Sequence, residues 1–125
     1  MKRNREEHLI QCGIIEWYDL TIGDELLFAI PNGGARSAAT GAMLKKEGVR
    51  AGVWDLFLAK PVFGQPPWFY GLFIEVKVPK RRNHARGGLT KEQDSFRDRA
   101  QSYGYKCEVV YTTMEGIDAI KGYLS

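Results

Sequence analysis

Three side chains are best placed to do chemistry: Asp55, Glu75 and Lys77. Glu75 and Lys77 lie inside the apolar run Tyr70-Gly-Leu-Phe-Ile-Glu-Val-Lys-Val78. Side chains alternate across a strand, so these two share one face while Ile74, Val76 and Val78 share the other. An ion on a buried strand is costly unless it is paired or bound to a metal. Asp55 sits in the preceding apolar stretch, residues 53–59. If the two stretches pair, the three groups converge on one sheet face. Two carboxylates brought together form a hard-oxygen site suited to Mg²⁺ or Mn²⁺. Such an ion lowers the pKa of a water and stabilises charge on a scissile phosphate. A lysine beside it could position that water, help deprotonate it, or stabilise the developing charge. The same spacing also suits a structural ion pair at a sheet end, Glu75–Lys77 or Asp55–Lys77. Spacing alone does not separate the two.

The elements that must position these residues follow from periodicity. Residues 4–21 predict a first helix, with Leu9, Ile10, Ile14, Trp17 and Tyr18 as its apolar stripe. Residues 26–30 predict a short buried strand, broken by Pro31-Asn-Gly-Gly34. Residues 35–47 predict a second helix, rich in small residues and closing on Lys45, Lys46 and Gly48. Strands over 53–59 and 70–78 follow, joined by the proline- and aromatic-rich connection 61–69, which suggests an antiparallel pair. Thr90 and Gln93 have capping-box spacing and open a third helix that ends near Gly104. A last strand over 105–112 leads to a second capping-box spacing, Thr112 and Glu115, and a final helix. The order is α-β-α-β-β-α-β-α: an α/β fold with a mixed sheet flanked by helices.

Length and composition bound the function. The 125 residues are enough for one domain, read as residues 1–125, with one core. No apolar run approaches a membrane span, and the N-terminal residues lack the apolar segment of a signal peptide. A cytoplasmic protein is therefore expected, with Cys12 and Cys107 as free buried thiols. The net charge is only +3, but its distribution is uneven. Between Glu75 and Glu92 stand Lys77, Lys80, Arg81, Arg82, Arg86 and Lys91, with no acid among them. That cluster suits phosphate neutralisation, and suits a solvated loop equally. Arg36, behind two glycines at a helix start, offers another phosphate contact or only a turn. His8 and His84 are not spaced as a metal pair.

Asp55…Glu75-Val76-Lys77 resembles the signature of the PD-(D/E)XK nuclease superfamily. The surrounding residues resemble one of its families more closely, the virus-type replication-repair nucleases (VRR-NUC). The matching stretches are Ile30-Pro-Asn-Gly-Gly34 with Arg36, Gly41 to Leu56, Leu72 to Lys77, Gly88-Leu-Thr-Lys-Glu-Gln93 and Gly104-Tyr105. They run in order over nearly the whole chain, as in the compact stand-alone members of phages and bacteria. The resemblance implies a restriction-endonuclease-like fold and a divalent metal, Mg²⁺ or Mn²⁺. It implies that Asp55, Glu75 and the Val76 carbonyl hold the metal, and that Lys77 is the catalytic lysine. It implies a role near the site for Gln93 and for Glu7 on the first helix, which can reach the metal directly or through water. Gln11, one turn on, would support Glu7. Each has a plainer alternative: Gln93 as the capping partner of Thr90, Glu7 as a solvated helix residue with Glu6 as its rival. The family's usual proline before the metal-binding Asp is Trp54 here, whose indole suits core packing or an interface more than stacking on a base.

The function implied is a metal-dependent DNA endonuclease acting as a homodimer on branched DNA such as Holliday junctions. Lys45, Lys46, Lys80, Arg81, Arg82, Arg86 and Arg36 are the candidate DNA contacts. Two other classes remain open: a nuclease-like module that binds branched DNA without cutting, and an RNA-processing endonuclease.

Overall fold

The computed structural model describes residues 4–31 and 37–125. Arg36 and the glycine turn before it lie outside those residues.

Helix α1 (Arg5–Thr21) starts where Asn4 caps it, its side-chain oxygen accepting from the N–H groups of Glu6 and Glu7. Ile10, Ile14 and Tyr18, four apart, are its buried stripe. Leu9, expected among them, faces solvent instead. Gly13 costs helix propensity, and packing explains it. A Cβ there would lie 2.8 Å from Thr113 Cγ2, so only glycine admits the last helix this close. Thr113 Oγ1 in turn donates to the Ile10 carbonyl across the contact.

Strand β1 (Leu27–Ala29) is followed by helix α2 (Ala38–Lys46), which begins three residues later than the composition predicts. Ser37 is the cap, accepting from the Thr40 N–H at 3.1 Å. No residue of α2 is buried. Strands β2 (Leu56–Leu58) and β3 (Gly71–Val76) come next and are shorter than predicted. Two 3-10 turns, Pro79–Arg81 and Ala85–Gly88, occupy the basic segment. Helix α3 (Lys91–Ser102), strand β4 (Tyr105–Val110) and helix α4 (Thr113–Leu124) complete the chain. The element order is the one expected.

The sheet order is β1-β2-β3-β4. The first three strands are antiparallel neighbours, and β4 lies parallel to β3. A parallel partner needs a crossover, and α3 supplies it. One face carries Leu56, Leu58, Leu72, Ile74, Val76 and Val110, packed on α1 and α4 through Ile14, Tyr18, Ile120 and Tyr123. On the other face a row of rings crosses the sheet. Phe28 meets Phe57 at 5.9 Å between centroids, Phe57 meets Phe73 at 4.5 Å, and Phe73 meets Tyr105 at 5.7 Å. Phe96 of α3 stands edge-on over Phe73. Glu75 shares this second face with Phe73, at the end of the strand covered by the start of α3.

Asp24 ties α1 to the chain just beyond β2. It accepts from Tyr18 Oη at 2.6 Å and from Lys60 Nζ at 2.6 Å. Tyr123 Oη then donates to the Lys60 carbonyl.

Candidate active site

Regular pairing between β2 and β3 stops at Leu56 and Ile74. Asp55 therefore lies one residue before its strand rather than on it. Beyond that point side chains take over the bonding. The Val76 N–H donates to Asp55 Oδ2 at 2.9 Å, and the Asp55 N–H donates to Glu75 Oε1 at 3.1 Å. Each acid thus accepts from the other's segment, and the two carboxylates are held together by the backbone that carries them. The convergence expected from sequence is present.

Glu75 is 3% exposed and Lys77 8%. Lys77 Nζ lies 3.2 Å from Glu75 Oε2. The same oxygen accepts from Gln93 Nε2 at 2.8 Å. Gln93 also completes the capping box of α3: its Oε1 accepts from the Thr90 N–H, and its own N–H donates to Thr90 Oγ1. The two ends of one amide cap the helix and reach Glu75, so the capping contact does not exclude a place beside the acid pair.

Burial pushes the Glu75 carboxyl well above the ordinary carboxylate range, and the Asp55 charge pushes it the same way. Lys77 and the Asp55 N–H pull it back only in part. Such an acid is under-compensated and favours a proton or a further cation. A carboxylate has about four lone-pair positions, and three donors reach Glu75 here. A fourth direction toward a cation suits that count.

The Val76 carbonyl points to the same side. The Lys77 N–H bonds the Val110 carbonyl of β4, so odd-numbered backbone groups of β3 face β4. Those of Val76 face the Asp55 side, where its N–H is already bonded. Two carboxylates and a carbonyl form an all-oxygen donor set that fits Mg²⁺ or Mn²⁺. Glu7 is half-buried on the first turn of α1. Among the described residues no three His, Cys, Asp or Glu side chains gather into a metal-holding group, so Glu7 does not join Asp55 and Glu75 directly. Gln11 Oε1, one turn on, is buried and has no hydrogen-bond partner among the described residues.

Trp54 packs in the core, one of the parts the sequence offers for its indole. It is wholly buried, which removes it as a platform for a base. Its indole Nε1–H donates to the Gln93 carbonyl at 3.0 Å, 39 residues away. Two residues earlier, Gly52 (φ +88) lies directly on α3; a Cβ there would sit 2.5 Å from the Glu92 carbonyl oxygen. The local signal is a glycine and an indole just before a half-buried acid. It names no partner, because the partner is on a distant helix.

The basic residues divide into two sets. Arg82 pairs with Glu115 and stacks over Tyr111, 4.3 Å from the ring centre. Arg81 Nη2 reaches the Gly88 carbonyl at 3.5 Å, and Arg86 Nε donates to the Leu89 carbonyl at 3.0 Å. These arginines help to fold their own segment. Lys45, Lys46 and Lys80 are exposed. Arg50, also exposed, donates to the Lys45 carbonyl at 3.3 Å. His84 is exposed; the thiols of Cys12 and Cys107 are free, but Cys12 is exposed and Cys107 only half-buried, rather than both buried as expected. No helix among the described residues is long and apolar enough to cross a membrane.

No protein-family model matches the chain. No curated protein matches it either. A solved structure of a "VRR_NUC domain protein" superposes with a TM-score of 0.73 over 98% of this chain and 90% of that one, at 20% sequence identity. At that identity the likeness shows the fold: a mixed four-stranded sheet with four helices, restriction-endonuclease-like.

Proposed function

We propose that the chain is a metal-dependent nuclease of the VRR-NUC type, a single nuclease domain over residues 1–125 that hydrolyses phosphodiester bonds in DNA. One observation carries the reading: the interlocked Asp55–Glu75 pair, with Lys77 and Gln93 on the same carboxylate, at the site end of a fold shared with a VRR_NUC domain protein. Mg²⁺ or Mn²⁺, when bound, would lower the pKa of a water and neutralise charge on the phosphate.

The chain's own residues do the rest. Asp55, Glu75 and the Val76 carbonyl would hold the ion, with Glu7 reaching it through water. Gln93 fixes the Glu75 carboxylate in one orientation. Lys77, an ammonium with three donors on one side of Glu75, orients the attacking water or stabilises the charge that grows on phosphate oxygen. The burial of both residues keeps bulk water from screening that charge.

Branched DNA, including four-way junctions, is the proposed substrate, with two chains acting together so that two sites face paired strands. Lys45, Lys46 and Lys80 are the proposed phosphate contacts, with Arg81, Arg82 and Arg86 shaping the same surface. Arg36 belongs to the proposal on its sequence position alone. Action inside a host cell follows from such a substrate.

The test is a labelled four-way junction incubated with the protein and Mg²⁺ or Mn²⁺, with chelator, and with Glu75→Ala. Metal-dependent cutting lost in the variant is the expected result. Tight junction binding without cutting would instead make the chain a binding module, and cutting of structured RNA in preference would make it an RNA-processing enzyme. Equal cutting of a linear duplex would remove the junction preference.

A further inference from the structure

Glu75 is gripped on both oxygens by two separate pieces of chain. The Asp55 N–H holds Oε1, and the Gln93 amide holds Oε2 at 2.8 Å. Those pieces are the run into β2 and the first turn of α3. Nothing in their sequence connects them. A carboxylate held from two sides is fixed only if the two sides are fixed to each other, and the Trp54 indole makes that third bond.

We propose that Trp54 is a positioning residue: its bond to the Gln93 carbonyl locks the first turn of α3 to the Asp55 segment and so sets the Gln93 amide on Glu75. Three features support this. Trp54 is the residue next to Asp55, so its ring and that backbone move together. The indole is wholly buried, and a buried N–H without an acceptor is costly, so the bond to Gln93 is the state the packing enforces. Gly52 lets the same loop lie flat on the Glu92 backbone, which removes the freedom of α3 to shift along it. Thr90 holds the other end of the Gln93 side chain, so with Trp54 bound every polar group of Gln93 is directed. The role rests on the reading of Asp55 and Glu75 as metal-holding groups.

The test reads metal affinity rather than cutting. Mn²⁺ binding is measured by calorimetry for the wild type, Trp54→Phe, Gln93→Ala and the double variant. Groups that orient a metal's ligands are worth about 10–100-fold in affinity. Trp54→Phe, acting one step away, is expected to weaken Mn²⁺ on the order of tenfold, at the low end of that range. The double variant is expected to bind no more weakly than Gln93→Ala alone, because Trp54 acts through Gln93. Unchanged Mn²⁺ affinity in Trp54→Phe, or losses that simply add in the double variant, would overturn the role. Should Trp54→Phe fail to fold, the benzothienyl analogue of tryptophan at position 54 replaces the N–H with sulfur at nearly constant shape, and the same outcomes apply. Mn²⁺ binding absent from the wild type would remove the metal reading and this role with it. Binding retained equally by wild type and variants would remove the role alone.

Discussion

The ion pair of Lys77 and Glu75 has a structural part and a proposed catalytic one, which substitution can separate. Both groups are almost fully buried, and among the described residues the lysine is the only cation paired with an acid that burial has made reluctant to ionise. Replacing Lys77 by methionine keeps the length and removes the charge. Glu75 then takes a proton at neutral pH rather than remain an unpaired buried ion. Lys77→Met is expected to stay folded by circular dichroism and to cut about 100-fold more slowly or worse, the usual scale for a positioned catalytic group. A folded variant with wild-type rate would leave Lys77 a structural partner. At this scale the sequence was informative. Residue types and spacing brought Asp55, Glu75 and Lys77 together without any structure, because an ion in an apolar run needs a partner. Trp54 was not legible in the same way, since its hydrogen-bond partner is a backbone carbonyl, and every residue has one.

At the scale of elements, the basic segment is the instructive case. The sequence offered a flexible loop or a phosphate-binding one. The structure folds it into two turns, with Arg82 spent on Glu115 and the Tyr111 ring. Glu115 lies 33 residues along the chain, beyond the reach of any local pattern. It also explains why the second capping box is only half formed. Thr112 accepts from the Glu115 N–H, but the Glu115 carboxylate turns to the Tyr111 N–H and to Arg82. Lys80→Ala and Arg82→Ala should therefore differ. The first is expected to weaken DNA binding with little change in melting temperature. The second is expected to lower the melting temperature as well, by a few degrees, because a cation stacked on a ring and paired with an acid contributes about 1 kcal/mol. Paired DNA-binding titrations and thermal melts would show it, and equal melting temperatures would contradict it. Element order, by contrast, was readable throughout, because each helix carries its own cap and stripe. Boundaries slipped where a side chain ended a strand early, as Asp55 does, or where Ser37 capped α2 later than its run of small residues suggested.

Asp24 belongs to the same scale, since it joins α1, β1 and the end of β2. Lys60 and then Tyr18 hold its carboxyl down, from an ordinary 3.8 to about 2. A depressed acid contributes stability above its unfolded pKa and loses it as the pH falls through the folded value. Asp24→Asn should be less stable than the wild type above about pH 4, and the gap should close between about pH 4 and pH 2. Melts across that range would check it; a constant gap would place the effect elsewhere.

For the whole molecule, charge placement matters more than its small net value. The exposed cations Lys45, Lys46 and Lys80 lie in segments before and after the acid pair in sequence. Each phosphate neutralised by such a side chain releases bound counterions, so affinity falls with salt. Replacing Lys45 and Lys46 with alanine is expected to weaken junction binding and to flatten the logarithmic salt dependence by about 2. A slope unchanged in the double variant would move the contact surface elsewhere. Sedimentation of the same samples tests the proposed pairing of chains: a mass of one chain at working concentration would contradict it. The row of rings from Phe28 to Tyr105 also belongs here. It spans all four strands, and α3 covers only part of it, through Phe96 on Phe73.

The bond from the Val76 N–H to Asp55 has a consequence for how the site could be watched. The Val76 amide proton is held by the Asp55 carboxylate rather than by a strand. It can exchange with solvent deuterium only when Asp55 lets go, so its exchange rate is a clock for the opening of the acid pair. Adding Mg²⁺ to the protein should slow that clock at Val76 and Asp55 more than at Leu72 and Ile74, deeper in the same strand pair. Uniform slowing across β3 would mean that the ion steadies the sheet as a whole. A local effect would mean that the end of the strand pair and the proposed metal site open as one.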